Sequence, residues 1–483
     1  MAEPSATKRI AKNFSWLFVG SVIGGLLNFA ANVYVARVLG AASFGLLNFA
    51  QAFMAYLVLL VDSGLSAFGM REVARERKKA GEISLNILAI RLLVACLIYV
   101  ISLLALYLLP ISAELRWLFI ITFLYIFYRA LSPEWIFHGL EKMEYMSISK
   151  VIYFAATIVL FVWLVRSPGD LVNVPLLQFI AGMAVTAFFL IVLFRKLITF
   201  APGKLDPSCW SSYFIRALPL GASMVMMQIY NNLDTIMLGF MDKAEVIGHY
   251  SAAYKIFYAF VGVFSTWQAP AIPISAKHAN EDRSKARHFL EKYLRLTLLA
   301  VLPLTVLMII IAPTVISLFF GTEYLAASLA LQILMASFIV LVISITYGNL
   351  ILISAERSWE YLRIVALGAA VNVIMNLILI PRFSLNGAAA ATLLTEFIIC
   401  LLVLYYSNKV FYVGVVQKII RPAIALIPSL GLYAFLYYVA AALPHYFRLS
   451  FAGGAFLALY SILIIWWERG FLADFIQEII SPR

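Results

Sequence analysis

Charge is scarce in this chain: Asp, Glu, Lys and Arg make up 12% of its 483 residues, while 64% are hydrophobic. Soluble domains carry about 25% charged residues, so a water-soluble globule is excluded. Cysteine is nearly absent. Cys96, Cys209 and Cys400 have no paired spacing, which argues against a disulfide framework or a cysteine metal site. The five histidines are scattered. There is no Gly-rich phosphate loop with its lysine, no histidine pair at metal spacing and no nucleophile elbow. No cofactor, metal or catalytic group is therefore expected, and the chain does not read as an enzyme. Met1 to Lys12 is short, polar and basic, and the run after it lacks a cleavage pattern, so no cleavable signal peptide is expected.

What the chain does have is long apolar runs. Leu, Ile, Ala, Phe and Gly mix over stretches of about 20 residues, the length of a membrane-spanning helix, whereas barrel strands are about 10 residues of alternating polarity. An all-α integral membrane protein follows. About fourteen spans are expected, near 13–39, 44–69, 84–109, 117–139, 149–166, 174–194, 217–240, 247–272, 294–319, 326–353, 362–380, 385–407, 422–442 and 449–467.

The basic residues orient these spans. With both termini in the cytoplasm, 27 of the 36 Lys and Arg fall in inside segments and 6 (Arg37, Arg116, Arg166, Lys243, Arg382, Arg448) in outside connectors. Cytoplasmic loops carry such an excess. The net charge of +12 is thus directed at the anionic inner leaflet, and nucleic acid is not an expected partner. Outside connectors are short, and the longest inside ones lie near 195–216 and 276–293, which leaves no room for an extramembrane catalytic domain. Phe471 to Ile480 alternates apolar and acidic positions and is expected along the inner interface.

The connector with Pro202, Gly203 and Pro207 divides the chain. The expected organisation is a lobe of six spans over 1–195, a cytoplasmic linker over 196–216, a second lobe over 217–410, and two further spans with a cytoplasmic tail over 411–483. The halves are weakly alike: "GGLLNFAANVYVARVLGAASFG" from Gly24 lies over "MQIYNNLDTIMLGFMDKAEVIG" from Met227, matching Asn28 to Asn231 and Gly45 to Gly248. Parallel repeats of this kind suit two lobes rocking around a central site.

A few charges sit inside the apolar runs: Asp62, Arg91, Arg129, Glu134, Asp234, Lys255 and Glu396. A charge at the bilayer centre costs roughly 2.5–3.5 kcal/mol on insertion scales, so such residues face a bundle interior or a wet cavity. Arg91 is near the inner face and is expected to snorkel. Arg129 lies ~18 Å from the outer boundary and Lys255 and Asp62 ~11 Å deep, at ~1.5 Å per residue. Arg129 and Lys255 are expected to face a cavity. Gln228, Asn231 and Asp234 share a helix stripe, as do Asn28 and Asn32. Either they bond between packed helices or they form polar walls across a cleft. Asn372 and Asn376 read as packing residues, and Glu134 with His138 as an interfacial pair. Pro133 frees a backbone carbonyl in its helix.

Several stretches together resemble a known family: "RVLGAASFG" (Arg37–Gly45), "DSGLSAFGMREVAR" (Asp62–Arg75), "WIFHGLEKMEYMSISK" (Trp135–Lys150), "NNLDTIMLGF" (Asn231–Phe240), "VIGHYSAAYKI" (Val246–Ile256) and "NVIMNLILIPRFSLNGAAAAT" (Asn372–Thr392). They are similar to the polysaccharide-type (O-antigen and repeat-unit) flippases of the multidrug/oligosaccharidyl-lipid/polysaccharide exporter superfamily. The resemblance implies two six-helix lobes in a V around a central cavity, in the bacterial inner membrane. It implies alternating access and an undecaprenyl-diphosphate-linked oligosaccharide as cargo. Arg37, Arg129 and Lys255 would then meet the diphosphate, and Asn28, Asn32, Gln228, Asn231 and Tyr254 the glycan. A proton or sodium ion would reset the carrier through Asp62, Asp234 or Glu396, and a polysaccharide polymerase is an expected partner. The alternative is a cation-coupled multidrug or small-molecule exporter of the same superfamily.

Overall fold

The computed structural model describes residues 6–198 and 205–480. All elements among them are helical: α1 Ala6–Asp62, α2 Leu65–Arg75, α3 Ala80–Leu108, α4 Ala113–Phe123, α5 Tyr125–Leu131, α6 Glu134–Gly139, α7 Met143–Leu164, α8 Asn173–Val192, α9 Trp210–Met241, α10 Ala244–Gln268, α11 Ala271–Glu281, α12 Arg283–Phe319, α13 Ala327–Tyr347, α14 Ser358–Asn408, α15 Val415–Val439 and α16 His445–Ile480. Helices are the form in which a chain satisfies its own backbone groups within lipid.

Ten described segments are long and apolar enough to cross a membrane. Two of them, Ser15–Asp62 and Ser358–Asn408, run 48 and 51 residues. A straight helix of that length would extend ~70 Å, more than twice the hydrocarbon core of ~30 Å. Each is in fact two helices joined at a kink. The expected fourteen crossings would need both halves of these and also α9 and α10, which fall outside the ten. The stretch from Phe471 to Ile480, expected along the inner interface, continues α16.

The chain packs as two compact units. The first comprises Met1–Lys255 with Phe319–Tyr324 and Asn376–Ala388, and the second Ile256–Leu318, Leu325–Met375 and Ala389–Arg483. In the first unit α1 bends at Gly40, where φ is 72°, a left-handed value that glycine adopts without a Cβ penalty. Restarting the helix leaves orphan N–H groups. The Glu323 carboxylate accepts one of them, from Ala41 N at 2.8 Å. Around it, the Tyr324 hydroxyl donates to Ala36 O at 2.8 Å and Arg37 Nε to Phe319 O at 2.6 Å. The bend in α14 lies at Ser384, with φ 54°, and the Ser384 hydroxyl donates to Asp242 Oδ2 at 2.5 Å.

Gly45 and Gly248 bring α1 and α10 into backbone contact. A Cβ on Gly45 would lie 1.8 Å from Ala244 O, and a Cβ on Gly248 1.9 Å from Ala41 O. The contact is reciprocal, since Ala41 and Ala244 are separated by the same offset as the two glycines. A pattern in which i meets j and j meets i is what a two-fold relation between copies produces. Elsewhere in this unit Leu65, Phe68, Ile87, Trp135, Phe137 and Phe189 form one buried cluster from α2, α3, α6 and α8. In the second unit Gly368 and Ile399 set the two halves of α14 side by side, and α15 pairs with α16.

Candidate functional site

The charges of the first unit are gathered into a network. Arg91 does not snorkel: it is buried, its Nη2 lies 3.4 Å from Asp62 Oδ1, and it donates to Arg129 O at 2.6 Å. That carbonyl is the one Pro133, lacking an N–H, cannot serve, and it otherwise accepts from the Ser132 amide, at 3.4 Å. Asp62 also accepts from the Ser66 hydroxyl. Arg129 Nη1 is 3.4 Å from Glu134 Oε2, with both side chains about one-third exposed (33% and 35%). Glu134 is thus tied to an arginine rather than solvated as half of an interfacial pair, while His138 is exposed. Two arginines and two carboxylates neutralise one another. Burial of the Arg91 charge is tolerable because Asp62 and the Arg129 carbonyl partner it.

Beside Arg129 stands an aromatic group. The guanidinium lies 5.7 Å from the Tyr128 ring, and Tyr128 stacks on Tyr153 at 5.3 Å. Tyr153 also lines a cavity of about 20 Å³ within this unit, together with Asn28, Asn32, Gln51, Thr157 and Gln178. That volume holds about one water. Gln51 Nε2 donates to Gln178 Oε1 at 3.1 Å, and Asn32 Nδ2 donates to Asn28 O at 2.8 Å. Asn28 and Asn32 therefore belong to a carboxamide-lined pocket among α1, α7 and α8.

A second polar group forms around Asp234, which is buried in α9. The Tyr250 hydroxyl donates to its Oδ2 at 2.9 Å and Asn376 Nδ2 to its Oδ1 at 2.6 Å. Asn376 is thus a polar partner to a carboxylate and not only a packing residue. Tyr254 stacks on Tyr250 at 5.3 Å. The next residue, half-buried Lys255, makes no hydrogen bond or ion pair among the described residues.

The remaining candidates are dispersed. Arg37 is part of the clamp at the Gly40 bend. Glu396 is buried in the second unit, within electrostatic reach of Tyr361 and Cys400. The side chains of Gln228 and Asn231 lie outside the described residues. Among the described residues, no three His, Cys, Asp or Glu side chains converge as a metal group would require. If Asp234 holds a cation, its own carboxylate with the Asn376 carboxamide and Tyr250 hydroxyl supplies the oxygens. Sequence reasoning missed Gln51, Gln178, Tyr250 and Glu323. Gln51 and Gln178 each offered a weaker signal than the Asn28–Asn32 stripe, a carboxamide in an apolar run.

These features define a multi-span helical membrane protein with polar groups buried in its lobes. The sequence model of the family described as "Polysaccharide biosynthesis protein" matches residues 10–279, and the chain belongs to that family. It is similar to a protein named as an O-antigen transporter in Shigella dysenteriae, 26% identical over 404 residues, covering 81% of this chain and 98% of the relative. A protein named likewise in Escherichia coli K12 is 22% identical, covering 83% and 97%. In fold the chain is similar to the lipid II flippase MurJ in an inward closed conformation. The TM-score is 0.77 at 15% identity, covering 95% of this chain and 99% of that one.

Proposed function

We propose that the protein moves undecaprenyl-diphosphate-linked oligosaccharide repeat units from the inner to the outer leaflet of the bacterial cytoplasmic membrane by alternating access. Membership of a polysaccharide biosynthesis family, O-antigen transporters among the relatives and the fold of a lipid II flippase support this reading. The single observation that carries the site is Lys255, a half-buried cation in an apolar run that makes no ion pair among the described residues, while Arg91 and Arg129 are paired. A diphosphate needs such a charge. With the cell interior negative, outward movement of an anion is favoured by roughly 2.3 kcal/mol per charge per 100 mV.

In this reading six-helix lobes over 1–195 and 217–410 flank the cargo in a V, with both termini in the cytoplasm and two further spans following. Tyr254, Asn28, Asn32, Gln228 and Asn231 receive the glycan, and Arg37 and Arg129 add positive charge. Asp234, with Asn376 and Tyr250, is the foremost of the three carboxylates for a proton or sodium ion, ahead of Asp62 and Glu396. The protein does no covalent chemistry and hands its cargo to a polysaccharide polymerase. Replacing Lys255 by Ala tests the proposal. Surface polysaccharide is lost and lipid-linked repeat units accumulate, while the variant reaches the membrane at normal level and Lys255→Arg retains transport. Normal surface polysaccharide from Lys255→Ala would sink the cationic site.

A further inference from the structure

At one end of the second unit, the starts of α12 and α15 and the end of α16 enclose a cavity of about 620 Å³. That is within the size range of small-molecule sites, roughly 300–1,000 Å³. Four cations, Lys292, Arg295, Lys418 and Arg421, line it against two carboxylates, Glu291 and Glu468. Among the described residues the lining thus carries two more cations than carboxylates.

The carboxylates arrange the cations rather than cancel them. Glu468 is 2% exposed, and a buried carboxylate persists only when paired. Arg295 pairs with its Oε2, and Arg421 Nη1 lies 3.4 Å from its Oε1. One carboxylate therefore holds two guanidinium groups side by side. Each has five N–H donors, more than Glu468 can accept. Lys418 Nζ is 3.6 Å from Glu291 Oε2, and Arg287 Nε is 3.0 Å from Glu291 Oε1. The Arg295 guanidinium also sits 4.2 Å from the Phe471 ring, and Trp467 closes one wall. Adjacent guanidiniums match the oxygens of phosphates in bidentate fashion. Basic pockets between helices at the cytoplasmic end of a membrane protein take lipid phosphate head groups. This end carries the basic connector 276–293, which the charge bias assigns to the inside.

We propose that the cavity among α12, α15 and α16 is a binding site for the phosphate head group of an inner-leaflet lipid, held by Arg295, Arg421, Lys418 and Lys292. The same chemistry is offered by two lipids: a prenyl diphosphate and an anionic phospholipid. The site does not depend on the transport reading, since binding is measured without transport.

The test uses the purified full chain in phosphatidylcholine nanodiscs, with farnesyl diphosphate and phosphatidylglycerol as separate probes, read by native mass spectrometry. Lys418→Ala/Arg421→Ala is expected to weaken at least one probe by about tenfold or more, and Lys418→Arg, which keeps the charge and the Arg421 guanidinium fork, to retain binding. Loss confined to farnesyl diphosphate identifies a diphosphate lipid, and loss confined to phosphatidylglycerol a phospholipid. Should the double variant fail to fold, Arg421→Ala alone serves, since Arg421 is exposed and Glu468 keeps Arg295. Undiminished binding of both probes by the folded variant overturns the proposal.

Discussion

Arg91 and Lys255 are both cations set in apolar runs, yet the structure treats them oppositely. Arg91 is buried against Asp62 and the Arg129 carbonyl. Lys255 is half-buried and makes no ion pair among the described residues, although Asp234, Tyr250 and Asn376 form a bonded group elsewhere in the same unit. The difference teaches that a charge in a span is not by itself evidence of a binding site. A partnered charge belongs to the architecture, whereas one that is half-buried without an ion pair is the kind of charge a cargo site is proposed from.

The sharpest way to break this comparison is to strip Arg91 of its carboxylate. Asp62→Ala is expected to lower stability by about 3–5 kcal/mol, because it leaves a buried charge uncompensated. Asp62→Leu/Arg91→Leu should recover most of that loss. Thermal unfolding of the purified proteins measures both, and an Asp62→Ala melt matching wild type would end the structural reading of the pair. Next comes the close approach of α1 and α10. Gly248→Ala forces a methyl to within 1.9 Å of Ala41 O, and overpacking of this kind costs about 1–3 kcal/mol. Unchanged unfolding of Gly248→Ala would show that the helices separate readily there.

For Lys255 the expected effect on stability is small, within about 0.5 kcal/mol for Lys255→Ala, since no ion pair among the described residues is lost. A large loss would show that Lys255 is structural too. The smallest effect lies outside the membrane. Asp170 accepts from the Arg166 and Ser167 amides, both at 3.0 Å, and from the Ser167 hydroxyl. These bonds hold its carboxyl below the usual range. A lowered folded value means the turn is stabilised above the unfolded value and loosens as pH falls through the folded one. Hydrogen exchange of the Arg166 and Ser167 amides should rise over that acid window relative to their intrinsic rates, and Asp170→Asn should remove the pH dependence.

Much of the fold was legible in the sequence because hydropathy is a local property. The apolar runs mark α3 and α8 within a few residues, while α12 begins 11 residues before its expected start at 294 because its first turns are polar and basic; the turn chemistry at Pro133 announced a freed carbonyl. Which residue would take that carbonyl was not legible. Arg91 is 38 residues away from Arg129, and Asn376 is 142 away from Asp234. Such pairings depend on how each helix is rotated about its axis and which neighbour it meets. Neither quantity is written in the span itself. For the same reason Asn28 and Asn32, whose shared stripe was clear, could not be assigned to the pocket with Gln51 and Gln178.

The sequence alone determined that the chain lives in a bilayer as helices, because no other fold hides so much apolar surface while bonding every backbone group. It also determined which few charges must be accounted for. Tertiary structure decided what those charges do. Packing brought Asp62 to Arg91 and left Lys255 with no ion pair among the described residues, since in a low-dielectric interior the distance to a counter-charge separates a structural ion from one that is not.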